Sequence, residues 1–296
     1  MEGRFMHSIA FNFFGRPIHW YGICIAAGFL AALCILQYKR NYARMDKEQI
    51  FDIALIAIFG GIGGARLFYV IQFFHQFSGN LWNVFRIDQG GLVFYGGFLT
   101  ALVILFIYAK IKKLSFARIL DMYAPAIAIG HAFGRVGCFL QGCCFGKPCS
   151  WGVVYPGNSA PAERFPDYLS PVKNVIEGIP SIPLAPVQLI EAAGNIVLCV
   201  FLLKLFKYVK KTGQIAAAYF AMYGIMRFLL EFFRGDHTDT ILGVTPSQFI
   251  GLFIMLPCGL ICYLCFGKYG KDAVTNEDLK GAFTFHFFNR KKDAAE

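Results

Sequence analysis

The sequence predicts an all-α integral membrane protein with seven transmembrane helices. Of its 296 residues, 57% are hydrophobic and only 16% are charged. The mean hydropathy of +0.53 is too high for a soluble domain of this length. The formal net charge of +10 does not indicate a nucleic-acid partner, because the basic residues lie in short clusters between apolar segments.

Seven apolar segments are each close to the roughly 20 residues that a bilayer requires. We predict transmembrane helices at about residues 18–37, 51–73, 91–109, 119–140, 186–206, 214–232 and 245–266. The first residues lack the basic, apolar and small-residue regions of a cleavable signal peptide, so we expect the first helix to direct insertion.

The charges between these segments predict their orientation. Lysine and arginine are concentrated in the first, third and fifth connections and are sparse in the second, fourth and sixth. The positive-inside rule therefore predicts an external N-terminus and a cytoplasmic tail at 267–296. Residues 1–266 then form one seven-span domain. Its long fourth connection, about 141–182, is predicted to form a small external cap between helices 4 and 5.

An arginine lies near the end of the fourth predicted helix, in GHAFGRVGCFLQGCCFG (130–146). A charged side chain inside a span costs about 2.5–3.5 kcal/mol on insertion scales, and chains that keep one usually use it. A guanidinium suits an oxyanion such as phosphate or carboxylate. Glycines let backbone or ligand approach closely. We therefore predict that Arg135, Gly134, Gly137 and Gly142 bind an anionic substrate.

The sixth predicted helix carries Tyr223, Arg227, Glu231 and Arg234 on one face, because their spacings are four, four and three. An internal ion pair between Arg227 and Glu231 would neutralise both charges within the bundle. Such a pair is compatible with function, since Glu231 can hold the guanidinium ready for a phosphate. We favour a functional role for this stripe.

Polar and aromatic residues of the first half are open to two interpretations. Arg66 follows GGIGGA (60–65), so it either snorkels beside a helix-packing surface or binds a ligand. Tyr21 lies among aromatic residues that suit the membrane interface. Tyr95 stands between two pairs of glycines and is placed to project its hydroxyl group into a cavity.

In the second half, Gln188 and Glu191 follow Pro186 at the predicted start of the fifth helix. A carboxylate in a first turn is favoured by the helix dipole, so the structural interpretation of Glu191 comes first. Gln188 is included among the candidate substrate-binding residues.

Four of the ten cysteines, Cys138, Cys143, Cys144 and Cys149, lie on the predicted outer side. An oxidising exterior would permit disulfides there. With His131 they are also compatible with a zinc site, but their spacing matches no standard pattern. We rank a disulfide or packing above a metal, and a cysteine nucleophile below both. The remaining six lie in predicted spans and are interpreted as small apolar residues.

These residues resemble the prolipoprotein diacylglyceryl transferase family of bacteria. The resemblance covers most of the chain, from HWYG (19–22) to PSQ (246–248). The motifs between them are GGIGGARLFY (60–69), GGLVFYGG (90–97), DMYAP (121–125), GRVGCFLQGCCFG (134–146), PVQLIE (186–191) and YGIMRFLLEFFRG (223–235).

The resemblance implies seven spans in the bacterial cytoplasmic (inner) membrane, with an active site that faces outward. Members transfer the diacylglyceryl group of phosphatidylglycerol to the thiol of the lipobox cysteine in a prolipoprotein signal peptide. A thioether forms and glycerol phosphate leaves, and no metal or other cofactor is needed. By position, Arg135 is similar to the family's phosphatidylglycerol-binding arginine, and Arg227 to its second essential arginine. Glu231 is similar to the carboxylate one turn later, and Tyr21 to the tyrosine of the first span.

The chain departs from the family signature G-R-x-G-N-F-x-N-G-E-x-x-G. Cys138 and Gln141 replace the two Asn residues, and Cys143 replaces the Glu. Many members have a histidine where Tyr95 stands, which leaves the general base open among Tyr95, His131 and Glu231. We expect the arginines to do most of the work and Tyr95 to orient phosphate or thiol by hydrogen bonding.

Three alternatives compete with this interpretation. A transporter or channel with arginines along an anion path predicts matching half-repeats, and the sequence shows none. A related phospholipid-dependent transferase with another acceptor would differ in the cap at 141–182. A thiol redox protein using Cys143 and Cys144 ranks last, because adjacent cysteines rarely form a good disulfide.

Overall fold

The computed structural model describes residues 9–13, 15–77, 80–86, 91–157, 159–167, 179–209, 211–236, 245–257, 259–261, 263 and 278. Most of these residues lie in helices. The chain divides into two compact units. The first unit consists of Met1–Ile35 and Asp121–Val274, and the second of Leu36–Leu120 and Thr275–Glu296.

The elements follow one another along the chain with few strands. They are β1 (Ile9–Phe13), β2 (Arg16–His19), α1 (Trp20–Ala43), α2 (Lys47–Leu55), α3 (Gly61–Gln72), α4 (Phe94–Ile111), α5 (Phe116–Gln141), β3 (Pro148–Val153), α6 (Ala160–Arg164), α7 (Val187–Leu205), α8 (Gln214–Glu231) and α9 (Pro246–Phe249). Single π-helical stretches join α2 to α3 at Ile56–Gly60 and continue α9 at Ile250–Met255.

Three helical stretches in the described part of the chain are long and apolar enough to cross a membrane: Trp20–Ala43, Lys47–Gln72 and Val187–Leu205. A shorter apolar helix covers Tyr95–Ile111. The chain is therefore a mostly helical protein with membrane-spanning character. The predicted number of seven spans and their orientation stay predictions, and so do the predicted domain limits.

The N-terminal strands are a local exception in a mostly helical chain. β1 and β2 form an antiparallel hairpin in which Phe11 lies opposite Ile18, so the first helix begins at Trp20 instead of residue 18. Pro17 disfavours helical backbone at the residue before it, and β1 supplies backbone partners that periodicity along one segment does not reveal. Such local reversals carry little hydropathy signal.

In the second unit, glycines bring α3 and α4 together. A Cβ atom at Gly64 would collide with the side chain of Thr100 and lie 2.9 Å from the carbonyl oxygen of Gly96. Gly97 in turn packs against the carbonyl oxygen of Gly61. Small residues at such positions let helix backbones approach closely, which confirms the predicted packing role of GGIGGA (60–65).

In the first unit, glycines also pack α5 against α1. A Cβ atom at Gly137 would lie 3.1 Å from both Cys24 Cβ and Tyr21 Cδ2. At Gly28 it would lie 2.8 Å from Phe133 Cβ. These close approaches fix the part of α5 that carries Arg135.

The residues of the predicted cap contain β3 and α6. Phe145, Tyr155 and Leu184 form a small apolar core there, against which Phe139 and Phe165 pack. Backbone bridges join Pro148 and Val153 to Leu184. The backbone after α8 also pairs with this region, since Gly146 bridges Arg234. The cap residues are thereby tied to the ends of α5, α7 and α8.

Candidate active site

The centre of the site is a buried ion pair between α5 and α7. The Nε atom of Arg135 lies 3.1 Å from Glu191 Oε2, and the same group donates a hydrogen bond of 3.1 Å to His131 Nε2. Glu191 is only 1% exposed, and Asn195 donates to its backbone carbonyl at 2.8 Å. Glu191 therefore fixes the Arg135 guanidinium and neutralises its charge.

A second ion pair lies along α8. Arg227 Nη2 is 2.8 Å from Glu231 Oε2, one helical turn later, which confirms the predicted internal pair. Thr245 Oγ1 donates a hydrogen bond of 2.9 Å to the other oxygen of Glu231. Glu231 is 5% exposed, so its charge is satisfied by partners within the protein instead of by water.

A third ion pair, between Arg234 and Asp236, lies just after the end of α8. Arg234 donates to both oxygens of Asp236, at 3.0 Å from Nε and 2.7 Å from Nη2. Its Nε atom is 3.9 Å from Glu231 Oε2, so Glu231 stands between two arginines. Each of the three arginines thus has a carboxylate partner, which is how buried charges are tolerated.

Aromatic contacts join His131 of α5 to the face of α8 that carries Arg227. The ring of His131 lies 5.4 Å from that of Tyr223, and Tyr223 stacks on Tyr219 at 5.6 Å. Because Arg135 donates to Nε2 of His131, the ring proton belongs on Nδ1. The Nε2 lone pair is then engaged by a cation, which makes it a poor acceptor for a substrate proton.

Gln188 holds a turn of the backbone beneath the cap. Its Nε2 atom donates to the carbonyl oxygen of Cys143 at 2.8 Å and to the hydroxyl group of Tyr155 at 3.1 Å. Burial, partly offset by the hydrogen bond to Gln188, raises the pKa of Tyr155 to about 12. These contacts favour a structural part for Gln188, whose predicted contact with substrate stays a prediction.

The candidate glycines and Tyr21 lie around the same arginine. Gly137 faces α1, where Tyr21 and Cys24 fill the space, while a Cβ atom at Gly134 would lie 3.7 Å from Ile25 Cδ1, an ordinary contact. Gly142 has a φ of 75° and starts the turn after α5. The predicted role of all three glycines in substrate binding stays a prediction, but Gly137 also has a clear packing role.

Two candidates belong to the second unit. Arg66 is 9% exposed, and its guanidinium donates to three backbone carbonyls, those of Val84 at 2.7 Å, Asn83 at 2.6 Å and Gly91 at 3.1 Å. It therefore does not snorkel, and it holds the segment before α4 in place. Tyr95 is 55% exposed at the start of α4. The predicted ligand roles of both residues stay predictions.

The outer cysteines are free thiols, so the structure shows no disulfide among those it describes. Cys149 packs beside Ala185, Val187 and Leu230. The Sγ atoms of Cys138, Cys143 and Cys144 lie within 4.8 Å of one another. Cys258, Cys262 and Cys265 lie outside the described residues.

The three thiols of this cluster influence one another's protonation. Hydrogen bonds from Cys138 and Cys143, together with the nearby guanidinium groups of Arg234 and Arg135, lower its pKa. Hydrogen bonds to Cys138 and Cys144, together with burial, raise the pKa of Cys143. A cavity of about 530 Å³ opens beside them, lined among others by Cys143, Cys144, Arg164 and Asp236.

Sequence reasoning missed two carboxylates of the site. Glu191 was interpreted as a first-turn residue, but it lies beyond the first turn of α7 and its partner is Arg135. Asp236 was not considered, although it binds Arg234. The motif PVQLIE (186–191) contained a signal for Glu191, because a carboxylate inside a span requires a cation nearby.

The chain was compared with known proteins. A family model described as prolipoprotein diacylglyceryl transferase matches residues 8–265. A phosphatidylglycerol–prolipoprotein diacylglyceryl transferase of Clostridium tetani is 31% identical over 254 residues, covering 85% of this chain and 94% of that protein.

Two further proteins of that name are similar to this chain. The one from Clostridium botulinum is 34% identical over 231 residues, covering 78% of this chain and 86% of its own length. The one from Finegoldia magna is 30% identical over 278 residues, covering 92% and 100%. A match of this extent, with the motifs and the paired arginines in place, shows that the chain belongs to the prolipoprotein diacylglyceryl transferase family.

Proposed function

We propose that this chain transfers the diacylglyceryl group of phosphatidylglycerol to the lipobox cysteine of a prolipoprotein, the first step of bacterial lipoprotein maturation. The family match over residues 8–265 carries this proposal. The names of the relatives state both substrates, phosphatidylglycerol and prolipoprotein. The paired arginines supply the positively charged hydrogen-bond donors that bind an anionic phospholipid headgroup.

In this reaction the cysteine sulfur attacks the carbon of the diacylglycerol unit that is bonded to a phosphate oxygen. The carbon–oxygen bond breaks, a thioether forms, and glycerol phosphate leaves with the bonding electrons. The thiol proton must be removed, because the thiolate is the nucleophile. Negative charge therefore builds up on the leaving phosphate, where fixed cations in a site of low dielectric constant stabilise it most.

Arg135 is the residue we place against the phosphate. Among the residues that the structure describes, its hydrogen bond and its ion pair both use Nε. A guanidinium has two further nitrogens, and their fork suits the oxygens of a phosphodiester. Glu191 holds the guanidinium rigid, so little entropy is lost when lipid binds.

Arg227 and Arg234 are two further cations that we place near the phosphate, and Glu231 lies between them. Because Glu231 accepts from Thr245 and pairs with Arg227, we assign it to positioning Arg227 and not to proton removal. We retain Tyr21, Gly134, Gly137, Gly142, Gln188 and Arg66 as surroundings of the two lipidic substrates.

We propose that Tyr95 orients phosphate or thiol through its hydroxyl group. Its place at the start of α4 and its exposure support this role. Tyr95→Phe is expected to lower the transfer rate by about 100-fold, the lower end of the range for loss of one positioned donor. Full activity of Tyr95→Phe would show that the hydroxyl group has no such role.

We also propose the membrane arrangement that the charge distribution favours. Seven spans would place the N-terminus outside, residues 267–296 in the cytoplasm, and the active site at the outer leaflet of the cytoplasmic membrane. The cap at 141–182 would then meet the prolipoprotein signal peptide as it leaves the bilayer. The basic connections of the sequence support this orientation.

The decisive experiment is a transfer assay with purified protein, phosphatidylglycerol vesicles and a lipobox peptide. We expect a thioether-linked diacylglyceryl peptide, none from a peptide with Ala in place of the cysteine, and a rate at least about 100-fold lower for Arg135→Ala. Arg16→Ala, which removes an exposed arginine of β2, is the matched control and is expected to keep the wild-type rate.

Absence of product from wild-type protein, in vesicles where an established family member is active, would contradict the proposal. The alternative would then be a related transferase with another acceptor. Release of glycerol phosphate without modification of the peptide would favour it, since the lipid would still be consumed.

A further inference from the structure

Three thiols meet at the end of α5, where the family signature has Asn and Glu at two of the positions. Cys138 lies in the last turn of the helix, and Cys143 and Cys144 lie in the turn that follows. Their Sγ atoms are all within 4.8 Å of one another, and each residue is partly buried.

The backbone of this turn is built to hold them. Gly142 has a φ of 75° and Cys144 a φ of 59°, and a left-handed conformation is disfavoured for a residue with a side chain. The backbone N–H of Cys143 donates to the carbonyl oxygen of Cys138 at 3.1 Å, and Gln188 donates to the carbonyl oxygen of Cys143. A disfavoured conformation held in place by its surroundings is typical of functional sites.

The distances suit a soft or borderline cation. Zinc binds thiolates at about 2.3 Å in tetrahedral geometry, which separates the sulfur atoms by about 3.8 Å. The three Sγ atoms therefore need only small side-chain rotations to reach a common ion. A disulfide, in contrast, requires two sulfur atoms about 2.05 Å apart and would leave the third thiol unused.

The charges around the cluster also fit. Three thiolates around one divalent cation carry a net negative charge, which needs compensation in a partly buried place. Arg135 and Arg234 both interact electrostatically with the thiol of Cys144.

We propose that Cys138, Cys143 and Cys144 form a three-thiolate site for a borderline-soft divalent cation of the zinc class. Binding displaces the thiol protons to solvent and needs no oxidant. Among the described residues no other His, Cys, Asp or Glu side chain joins the group. Because Cys143 and Cys144 line the 530 Å³ cavity, water or an added thiol can reach the fourth position from there.

This inference goes beyond the proposed transfer reaction and does not depend on it. It also departs from the expectation that no metal is needed. The sequence spacing resembled no zinc motif because one ligand lies on a helix and two on a tight turn, so that only the turn after Gln141 brings them together.

The test uses the full chain in detergent, purified without chelator under reducing conditions. Cobalt is the probe, because tetrahedral cobalt–thiolate sites absorb visible light, and zinc is then added in competition. We expect one ion per chain by metal analysis, with cobalt displaced by zinc. Cys138→Ser, Cys143→Ser and Cys144→Ser should each weaken zinc binding by at least about 100-fold, more than loss of an outer partner.

Cys149→Ser is the matched control, since Cys149 lies nearby but outside the group, and it should bind as the wild type does. The wild-type titration is decisive even if a serine variant fails to fold. Reduced wild-type protein that binds no cobalt or zinc, or that binds them without cobalt–thiolate absorption, would overturn the proposal. So would a disulfide between two of the three cysteines in protein isolated without reductant, detected by thiol labelling and mass analysis.

Discussion

Glu191 shows how a single buried side chain organises the site. It is 1% exposed and lies 3.1 Å from Arg135 Nε and 3.5 Å from His131 Nε2. Because Glu191 holds the Nε side of the Arg135 guanidinium, the rest of this planar group keeps a fixed orientation. We therefore propose that the carboxylate acts on catalysis through Arg135, without touching the reacting atoms.

We expect Glu191→Gln to keep the shape of the side chain but to release Arg135. The transfer rate should fall by about 100-fold, because displacement of a catalytic group by about 1 Å has such an effect. Initial rates in phosphatidylglycerol vesicles measure it, with folding checked by gel filtration. Glu48→Gln, at an exposed position of α2, is the control. A wild-type rate for Glu191→Gln would show that Arg135 does not require this partner.

At the scale of elements, α8 depends on a residue of α5 for its start. The helix follows Gly213, which has no side chain to cap it. Asp121 supplies the missing acceptor, since its carboxylate receives hydrogen bonds from the backbone N–H groups of Gly213 at 2.6 Å and Ala216 at 2.8 Å. The motif DMYAP (121–125) thereby fixes the helix that carries Arg227 and Glu231.

Asp121→Asn is expected to lower stability by about 1–3 kcal/mol, because one acceptor oxygen becomes an N–H₂ group that faces backbone donors. Thermal unfolding in detergent measures this change. The same substitution at Asp46, the exposed N-cap residue of α2, should have little effect, since Asn and Asp cap a helix equally well. Equal melting temperatures of the two variants would contradict the assigned cap.

The contact between α3 and α4 offers a pair of adjacent glycines that differ in environment. A side chain at Gly64 would collide with Thr100, whereas a Cβ atom at Gly63 would have nothing within 4 Å. We expect Gly64→Val to be destabilised relative to Gly63→Val by about 1–3 kcal/mol, the usual effect of overpacking. Both variants carry the same change in helix propensity. Thermal unfolding of the two proteins measures this difference. Equal stability would show that Gly64 is not a packing site.

At the scale of the whole molecule, we expect the arrangement of charge to decide the orientation of the chain in the membrane. Basic residues are concentrated in alternate connections, while the buried arginines of the site are neutralised by carboxylates. We therefore expect the basic residues of the connections, and not the arginines of the site, to decide the orientation.

Reporter fusions test this orientation. Alkaline phosphatase joined after Lys113 is expected to be inactive and a fluorescent protein there to fluoresce, since the connection before α5 should be cytoplasmic. Fusions after Gly157, in the predicted cap, should show the opposite pattern. The reverse result at both positions would place the candidate site on the cytoplasmic side and contradict the proposed location of the reaction.

Hydropathy by itself located α7 and α8, and the spacing of residues along one helix predicted an ion pair. The predicted spans 186–206 and 214–232 agree within one residue at each end with α7 and α8, and the Arg227–Glu231 pair follows from a spacing of four. Family membership was likewise visible in the motifs. These features depend on residues that are close together in the chain, so they can be predicted from the sequence.

Only the tertiary structure decided which distant groups meet. Glu191 binds Arg135 from another helix, Asp121 caps α8 by accepting a hydrogen bond from Gly213, 92 residues later, and three thiols converge on a turn whose backbone Gly142 makes possible. Buried charges and polar groups must find partners wherever the fold brings them together. Their identity is therefore fixed by packing between elements, which no pattern along one segment expresses.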